Sequence, residues 1–437
     1  MRKHQFFRDT AMALALAGPM TVAMATNGYF SHGYGMKAKG MGGAAVASTD
    51  NAFAGANNPA AAAFAGNRLD LGVDVFMPKR GFSRTGSAGV GAGSIDVAQD
   101  SDSNTFYVPE FGYNRAVSDT IGVGLAVYGN GGLNTEYAGG KINCGSGAGT
   151  ANAMCGSGKL GVDMVQLVVA PTFAYKVNPG HSVGVSPLLV HQQFKADGLQ
   201  AFDNATGFPV MTSAQGSVTN RGYDSSNGFG VRLGYLGKLG NTLNVGASYS
   251  PKISMSKFDK YKGLFADGGN FDIPENYTAG LSFQATPAVL VAFDYSFIKY
   301  SGVPSVGNAS NSTGLLGTAN GKGFGWSDIN VYKLGLEWQQ SGNLTMRAGV
   351  NVGDNPVKGR DVTFNIIAPG VVTTHYTLGG TYVLSRQSEV TFAYMYAPEN
   401  SVSGSSMFNS IAGAGAGGNE TIKMSQQSLG VQFGWKY

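Results

Sequence analysis

From about residue 67 onward, apolar and polar side chains alternate with a period of two, in stretches of about 10–14 residues. Leu243, Val245, Ala247, Tyr249, Pro251, Ile253 and Met255 share one phase; Asn244, Gly246, Ser248, Ser250, Lys252, Ser254 and Ser256 share the other. Val289, Val291, Phe293, Tyr295 and Phe297 repeat the pattern, as do Leu344, Met346, Ala348, Val350 and Val352. Such a period belongs to strands whose two faces meet different surroundings. A soluble sandwich shows it too, but its strands usually run about 5–6 residues. Stretches this long suffice for a tilted membrane crossing.

The connections separate the two folds. About fourteen strands are expected between residues 67 and 437, the third over 120–128 and the seventh over 243–256. Short turns such as Asn178-Pro-Gly180, Gly240-Asn-Thr242 and Ser341-Gly-Asn343 alternate with long loops near 78–103, 129–161, 194–225, 257–271, 300–327, 354–372 and 399–421. Short turns at one end and long loops at the other are the signature of an outer-membrane barrel. A sandwich has no reason to sort its loops in this way. Closure also removes sheet edges, which lipid cannot satisfy. The expected fold class is therefore all-β, a transmembrane antiparallel barrel.

Composition agrees. Charged residues are 13% of the 437, against roughly 25% in an ordinary soluble domain. Mean hydropathy is −0.04. No apolar run approaches the roughly 20 residues of a membrane-spanning helix. Aromatics at 11% argue against disorder.

Residues 1–25 read as a secretory signal peptide: a basic start, an apolar stretch from Thr10 to Val22, and the small-x-small site Ala23-Met24-Ala25. The alternative is an N-terminal anchor, for which the apolar stretch is short. This leader holds Arg2, Lys3, Arg8 and Asp9, so its loss lowers the net charge from +4 to about +2. That balance does not suit a nucleic-acid partner. Cys144 and Cys155 lie in a Gly/Ser-rich stretch, and in an exported protein they read as a disulfide. A metal site is the weaker alternative, since no His is near.

Residues 26–66 follow another pattern. Glycines 28, 33, 35, 40, 42 and 43 precede a small-residue stretch that includes Asn58-Pro59-Ala60. This segment suits either a compact plug inside the barrel or a flexible tail. The leader, this segment and the strand count together resemble the FadL-type family of outer-membrane transporters for long-chain fatty acids and hydrocarbons. The blocks Ile273–Leu281, Tyr332–Trp338, Leu344–Val350 and Asp354-Asn-Pro-Val357 extend the resemblance over the mature chain. Tyr437, ending the alternating run Leu429, Val431, Phe433 and Trp435, resembles the signal read by the outer-membrane assembly machinery.

The resemblance implies passive uptake of a hydrophobic small molecule by a monomer set in outer-membrane lipid and lipopolysaccharide, without a cofactor. It implies a hatch over 26–66, a barrel over 67–437, an apolar groove on the outer loops and a kink in the third strand that opens the wall sideways. Gly122 and Gly124 are the kink candidates, or else glycines that relieve crowding in the wall. Leu199, Phe202, Phe208, Val210, Met211, Leu264 and Phe265 either line the groove or pack loop on loop. Arg232, Lys252, Lys333 and Arg347 fall in the inward phase, where a cation either meets a substrate carboxylate or pairs with Asp294 and Glu337 across strands.

Nucleotide and metal motifs are missing. The sequence has no phosphate loop, and its five His have no ligand spacing. No enzyme is expected, and no metal. A polar-solute porin is the main alternative, and a barrel hydrolase a more distant one.

Overall fold

The computed structural model describes residues 27–88, 93–144, 151–411 and 417–437. The expected signal peptide over 1–25 lies outside the described residues. One antiparallel sheet of fifteen strands is closed by pairing its last strand with its first. In chain order these are β1 (Arg68–Thr85), β2 (Val97–Asp100), β3 (Phe106–Ala116), β4 (Ile121–Tyr137), β5 (Leu160–Asn178), β6 (His181–Asp197), β7 (Asp224–Leu239) and β8 (Leu243–Ser250). There follow β9 (Asn276–Thr286), β10 (Val289–Ile298), β11 (Ile329–Gln339), β12 (Leu344–Gly353), β13 (Thr374–Val383), β14 (Ser388–Ser405) and β15 (Asn419–Lys436). The four-residue β2 pairs only with β1, so the wall is a fourteen-stranded barrel. Closure is complete along β1, from Arg68 opposite Lys436 to Thr85 opposite Asn419.

Alternation sorts the side chains. Leu71, Phe229, Leu281, Phe293, Leu334, Phe392 and Leu429 point outward and are exposed, as lipid-facing residues are when the protein stands alone. Tyr175, Tyr235, Trp338, Tyr382 and Trp435 ring the short-turn end; Tyr107, Tyr277, Tyr332, Tyr376 and Tyr396 ring the other. Two aromatic girdles mark the membrane interfaces.

Two strands depart from the expected bounds. The seventh barrel strand, β8, ends at Ser250 and not at residue 256. Pro251 follows Ser250, and Pro274 lies two residues before Asn276, the partner of Ser250; neither proline has an N–H for the ladder. Past Pro251 the phase inverts, so Ile253 and Met255 are buried and Lys252 is exposed. The third barrel strand, β4, runs past residue 128 to Tyr137. Its residues Tyr128–Leu133 are buried without interruption, so neither face meets lipid.

Candidate functional site

Residues 27–64 are buried almost throughout, against inward side chains from strands all round the barrel. A polar backbone with so little secondary structure of its own must find partners elsewhere, and the wall supplies them. Asp294 on β10 accepts the amides of Ala45 at 2.8 Å and Val46 at 3.0 Å. Asp70 on β1 accepts Ala52 N–H at 2.8 Å, and Gln432 on β15 accepts Met36 N–H at 2.9 Å. Asn58 donates to the carbonyls of Val46 (2.7 Å) and Tyr235 (2.8 Å), and its own carbonyl accepts Ala60 N–H at 3.1 Å. Pro59 then starts the 3-10 turn Pro59–Ala63, where its missing N–H costs nothing.

Charge fastens the segment further. Lys39 lies between Asp74 at 2.8 Å and Glu110 at 2.7 Å, all three buried. Burial opposes the Lys39 charge, but the two carboxylates outweigh it and hold the pKa above the ordinary lysine value. Lys37 reaches Glu389 at 3.0 Å and Asp50 at 2.8 Å. His32 stacks on His375 with ring centroids 6.0 Å apart. Burial, then His375, Lys39 and Lys333, push the His32 pKa well below its usual value.

Three of the four cations in the expected inward phase face the lumen. Arg232 donates to the carbonyls of Gly55 (3.2 Å) and Ala56 and to the Tyr128 hydroxyl. Arg347 meets Glu337 at 2.7 Å. Lys333 is turned toward the Gly43 carbonyl, 3.5 Å away, and lines a polar cavity with Asp294. Lys252 departs from the expectation: it follows the end of β8, is exposed, and lies 3.4 Å from Asp272.

The outer loops enclose an apolar cavity of about 40 Å³. Of the loop residues singled out by sequence, Leu199, Phe202, Leu264 and Phe265 line it. Phe208, Val210 and Met211 are not in that lining: Met211 is buried in the core, Phe208 is half-buried against it, and Val210 is 65% exposed. Phe194, Phe324 and Phe364 complete the aromatic part of the wall, and sequence reading did not name them. Phe194 sits in the inward phase of β6, a signal that was available. The charged residue in the lining is Lys322; burial lowers its pKa, and its Nζ donates to the Ser312 carbonyl.

The ladder between β3 and β4 is incomplete. These strands pair from Ala116–Gly122 only as far as Phe111–Val127. Beyond that level, Phe106–Glu110 keep β1 as partner, while β4 continues along β5. The β4–β5 register shifts between Gly129 and Gly131. Asn130 is the extra residue there, and a bulge of this kind bends a strand. Phe30 pairs with Gly131 at the bend, and Ser31 N–H donates to the Asn130 carbonyl at 3.2 Å. Gly122 and Gly124 stand lower, in an unshifted part of both ladders. A Cβ at Gly122 would collide with the Ala62 carbonyl, so that glycine admits the N-terminal segment; one at Gly124 would come within 3.0 Å of the Tyr113 carbonyl oxygen.

Aromatic rings connect the cavity to the bend beside Phe30. Phe194 and Phe265 in the cavity lie 4.6 Å apart by ring centroid. Phe265 is 5.0 Å from Phe271, Phe271 is 6.0 Å from Tyr29, and Tyr29 is 5.3 Å from Phe30. Tyr300 and Trp326 pack on Tyr29 at 5.3 and 5.9 Å.

The same architecture occurs in solved structures. The toluene transporter TodX of P. putida is 19% identical, with 93% of this chain and 99% of that one covered and a TM-score of 0.66. A FadL homologue of Pseudomonas aeruginosa is 13% identical, with 94% and 99% covered and a TM-score of 0.67. The toluene transporter TbuX of Ralstonia pickettii is 18% identical, with 93% and 99% covered and a TM-score of 0.63. Among curated proteins no sequence matches the chain. The sequence model of one family, the outer membrane transport proteins OMPP1/FadL/TodX, matches residues 20–436. With that match and a closed barrel of fourteen strands, the chain belongs to this family of outer-membrane transporters of hydrophobic compounds.

Proposed function

We propose that the protein carries neutral hydrophobic molecules of the size of small aromatic hydrocarbons from the outer loops to the gap between β3 and β4, without energy coupling. The observation that carries this reading is the unbroken file of rings from Phe265 through Phe271 and Tyr29 to Phe30, which ends at the bend in β4. A greasy solute gains nothing from a water-filled bore, but it can exchange one apolar contact for the next along such a file. Residues 26–66 act as the hatch. They close the lumen to water and set Phe30 against the gap, so a small displacement of Tyr29 and Phe30 opens the path sideways into lipid.

Charge placement favours neutral cargo. Arg232 and Arg347 are engaged by the hatch and by Glu337, and Lys333 faces the Gly43 carbonyl. A fatty acid would have to find its counter-charge at Lys322, already held by Ser312. The cavity of about 40 Å³ is smaller than the roughly 150 Å³ cavity that holds benzene. Entry therefore requires its side chains to part.

Uptake of labelled toluene and oleate into liposomes with and without the protein tests the proposal. Protein-dependent toluene entry exceeding that of oleate, with no swelling in sugars, is expected. Free passage of sugars, or no protein-dependent entry of toluene, overturns it.

A further inference from the structure

The loop between β4 and β5 contains a construction with no part yet in the transport path. Cys144 and Cys155 form a disulfide with Cα atoms 5.6 Å apart. Beside it, Lys141 and Ile142, just before Cys144, donate to the Ala151 carbonyl at 2.9 and 3.0 Å, making a short antiparallel clip. The chain then reverses in a tight turn around Asn152. The Asn152 side-chain carbonyl accepts the amides of Met154 (2.9 Å) and Gly156 (3.0 Å). Cys155, within the turn, has φ 57°, a left-handed conformation that a non-glycine residue adopts at a cost of roughly 1–2 kcal/mol. The disulfide and the Asn152 bonds offset that cost.

This turn is tied to the neighbouring outer loop. Asn152 Nδ2 donates to the Gly198 carbonyl at 2.9 Å, and Ser157 N–H donates to Gln200 Oε1 at 3.0 Å. Those bonds flank Leu199 and precede Phe202, both of which line the apolar cavity. The turn also presents Met154, 1% exposed, into the same lining. An unbranched thioether is the side chain that best follows the outline of an apolar guest.

We infer that Met154 sets the size of hydrophobic molecule the cavity accepts, and that Cys144–Cys155 and Asn152 are positioning residues that hold it and Leu199 in place. This rests on the reading of the cavity as the capture site. Truncating Met154 gives room for a second ring. Releasing the clip lets the Met154 side of the cavity move away from Leu199, and discrimination between guests falls.

Equilibrium binding of toluene and of naphthalene to the purified full-length protein in detergent tests this. Relative to wild type, Met154→Ala shifts the ratio of the two Kd values toward naphthalene by roughly tenfold, the scale of one methylene-sized contact in an apolar pocket. Met154→Phe shifts it toward toluene. The double variant Cys144→Ser/Cys155→Ser shifts it in the direction of Met154→Ala, by less. A ratio unchanged in both Met154 variants, with wild-type binding intact, overturns the inference and leaves the transport reading standing. Failure of the wild type to bind either compound removes the capture-site reading itself, and this inference with it.

Discussion

Lys39 in the buried N-terminal segment places its ammonium 2.7 Å from the Glu110 carboxylate on β3, with neither side chain open to water. Asp74 closes the triad at 2.8 Å. Lys39→Met leaves two buried carboxylates facing each other without a cation, a change of about 3–5 kcal/mol against the docked hatch. The barrel, with its own ladders, stays folded. Lys39→Met channels in planar bilayers are expected to show raised small-ion conductance while keeping the wild-type heat-modified gel shift. Silent channels would detach the triad from hatch docking.

Deleting Asn130 removes the extra residue from β4 and lets the register between Gly129 and Gly131 run on. The strand straightens and the gap beside β3 narrows. Toluene flux into liposomes should then fall toward that of protein-free vesicles, with binding at the outer cavity retained. Undiminished flux would place the exit elsewhere.

Acidification should loosen the hatch. His32 is buried, and burial depresses its pKa below the ordinary value of about 6.5. The undocked segment therefore binds a proton that the docked one excludes, and docking weakens as pH falls below about 6.5, by at most about 1.4 kcal/mol per pH unit for a single group. Above that pH the contribution is complete and constant. Small-ion conductance measured from pH 7.5 to 5 is expected to rise as pH falls, and the rise should be smaller in His32→Phe. A conductance flat over that range in the wild type would rule His32 out as the group responsible.

Trp326 is the buried reporter of the ring file, 5.2 Å from Tyr300 and 5.9 Å from Tyr29. Trp338 and Trp435 are 48% and 44% exposed on the lipid face. In Trp338→Phe/Trp435→Phe, bromobenzene should quench the remaining emission with saturation, at a site that lipid-borne bromide does not reach. Linear, unsaturable quenching would mean partition into detergent and no occupied path.

Alternation made most of the wall legible. β10 spans Val289–Ile298 and coincides with the run Val289–Phe297; β12 coincides with the run Leu344–Val352. What escaped were places where period two stops carrying information. Gly129-Asn-Gly-Gly-Leu-Asn-Thr135 on β4 has no apolar phase because both of its faces are enclosed, so the strand continues where the pattern ends. Pro251 inverts the phase of a run that reads as regular, and for that reason Lys252 reads as inward. The ionic fastening of Lys37 and Lys39 also escaped, since Glu389, Asp74 and Glu110 lie far off in sequence. Leu199, Phe202, Leu264 and Phe265 were visible as unexplained apolar residues in loops. That Phe208, Val210 and Met211 lie outside the same cavity depends on how three loops fold over one another.

The N-terminal segment is held by β-strand side chains such as Asp74, Glu110, Asp294 and Glu389, whereas the apolar cavity is formed largely by residues of the outer loops. On the proposed reading, leak-tightness and cargo preference are encoded in separate parts of the chain. Loop exchange between relatives could retune what is admitted without reopening the membrane to antibiotics or ions.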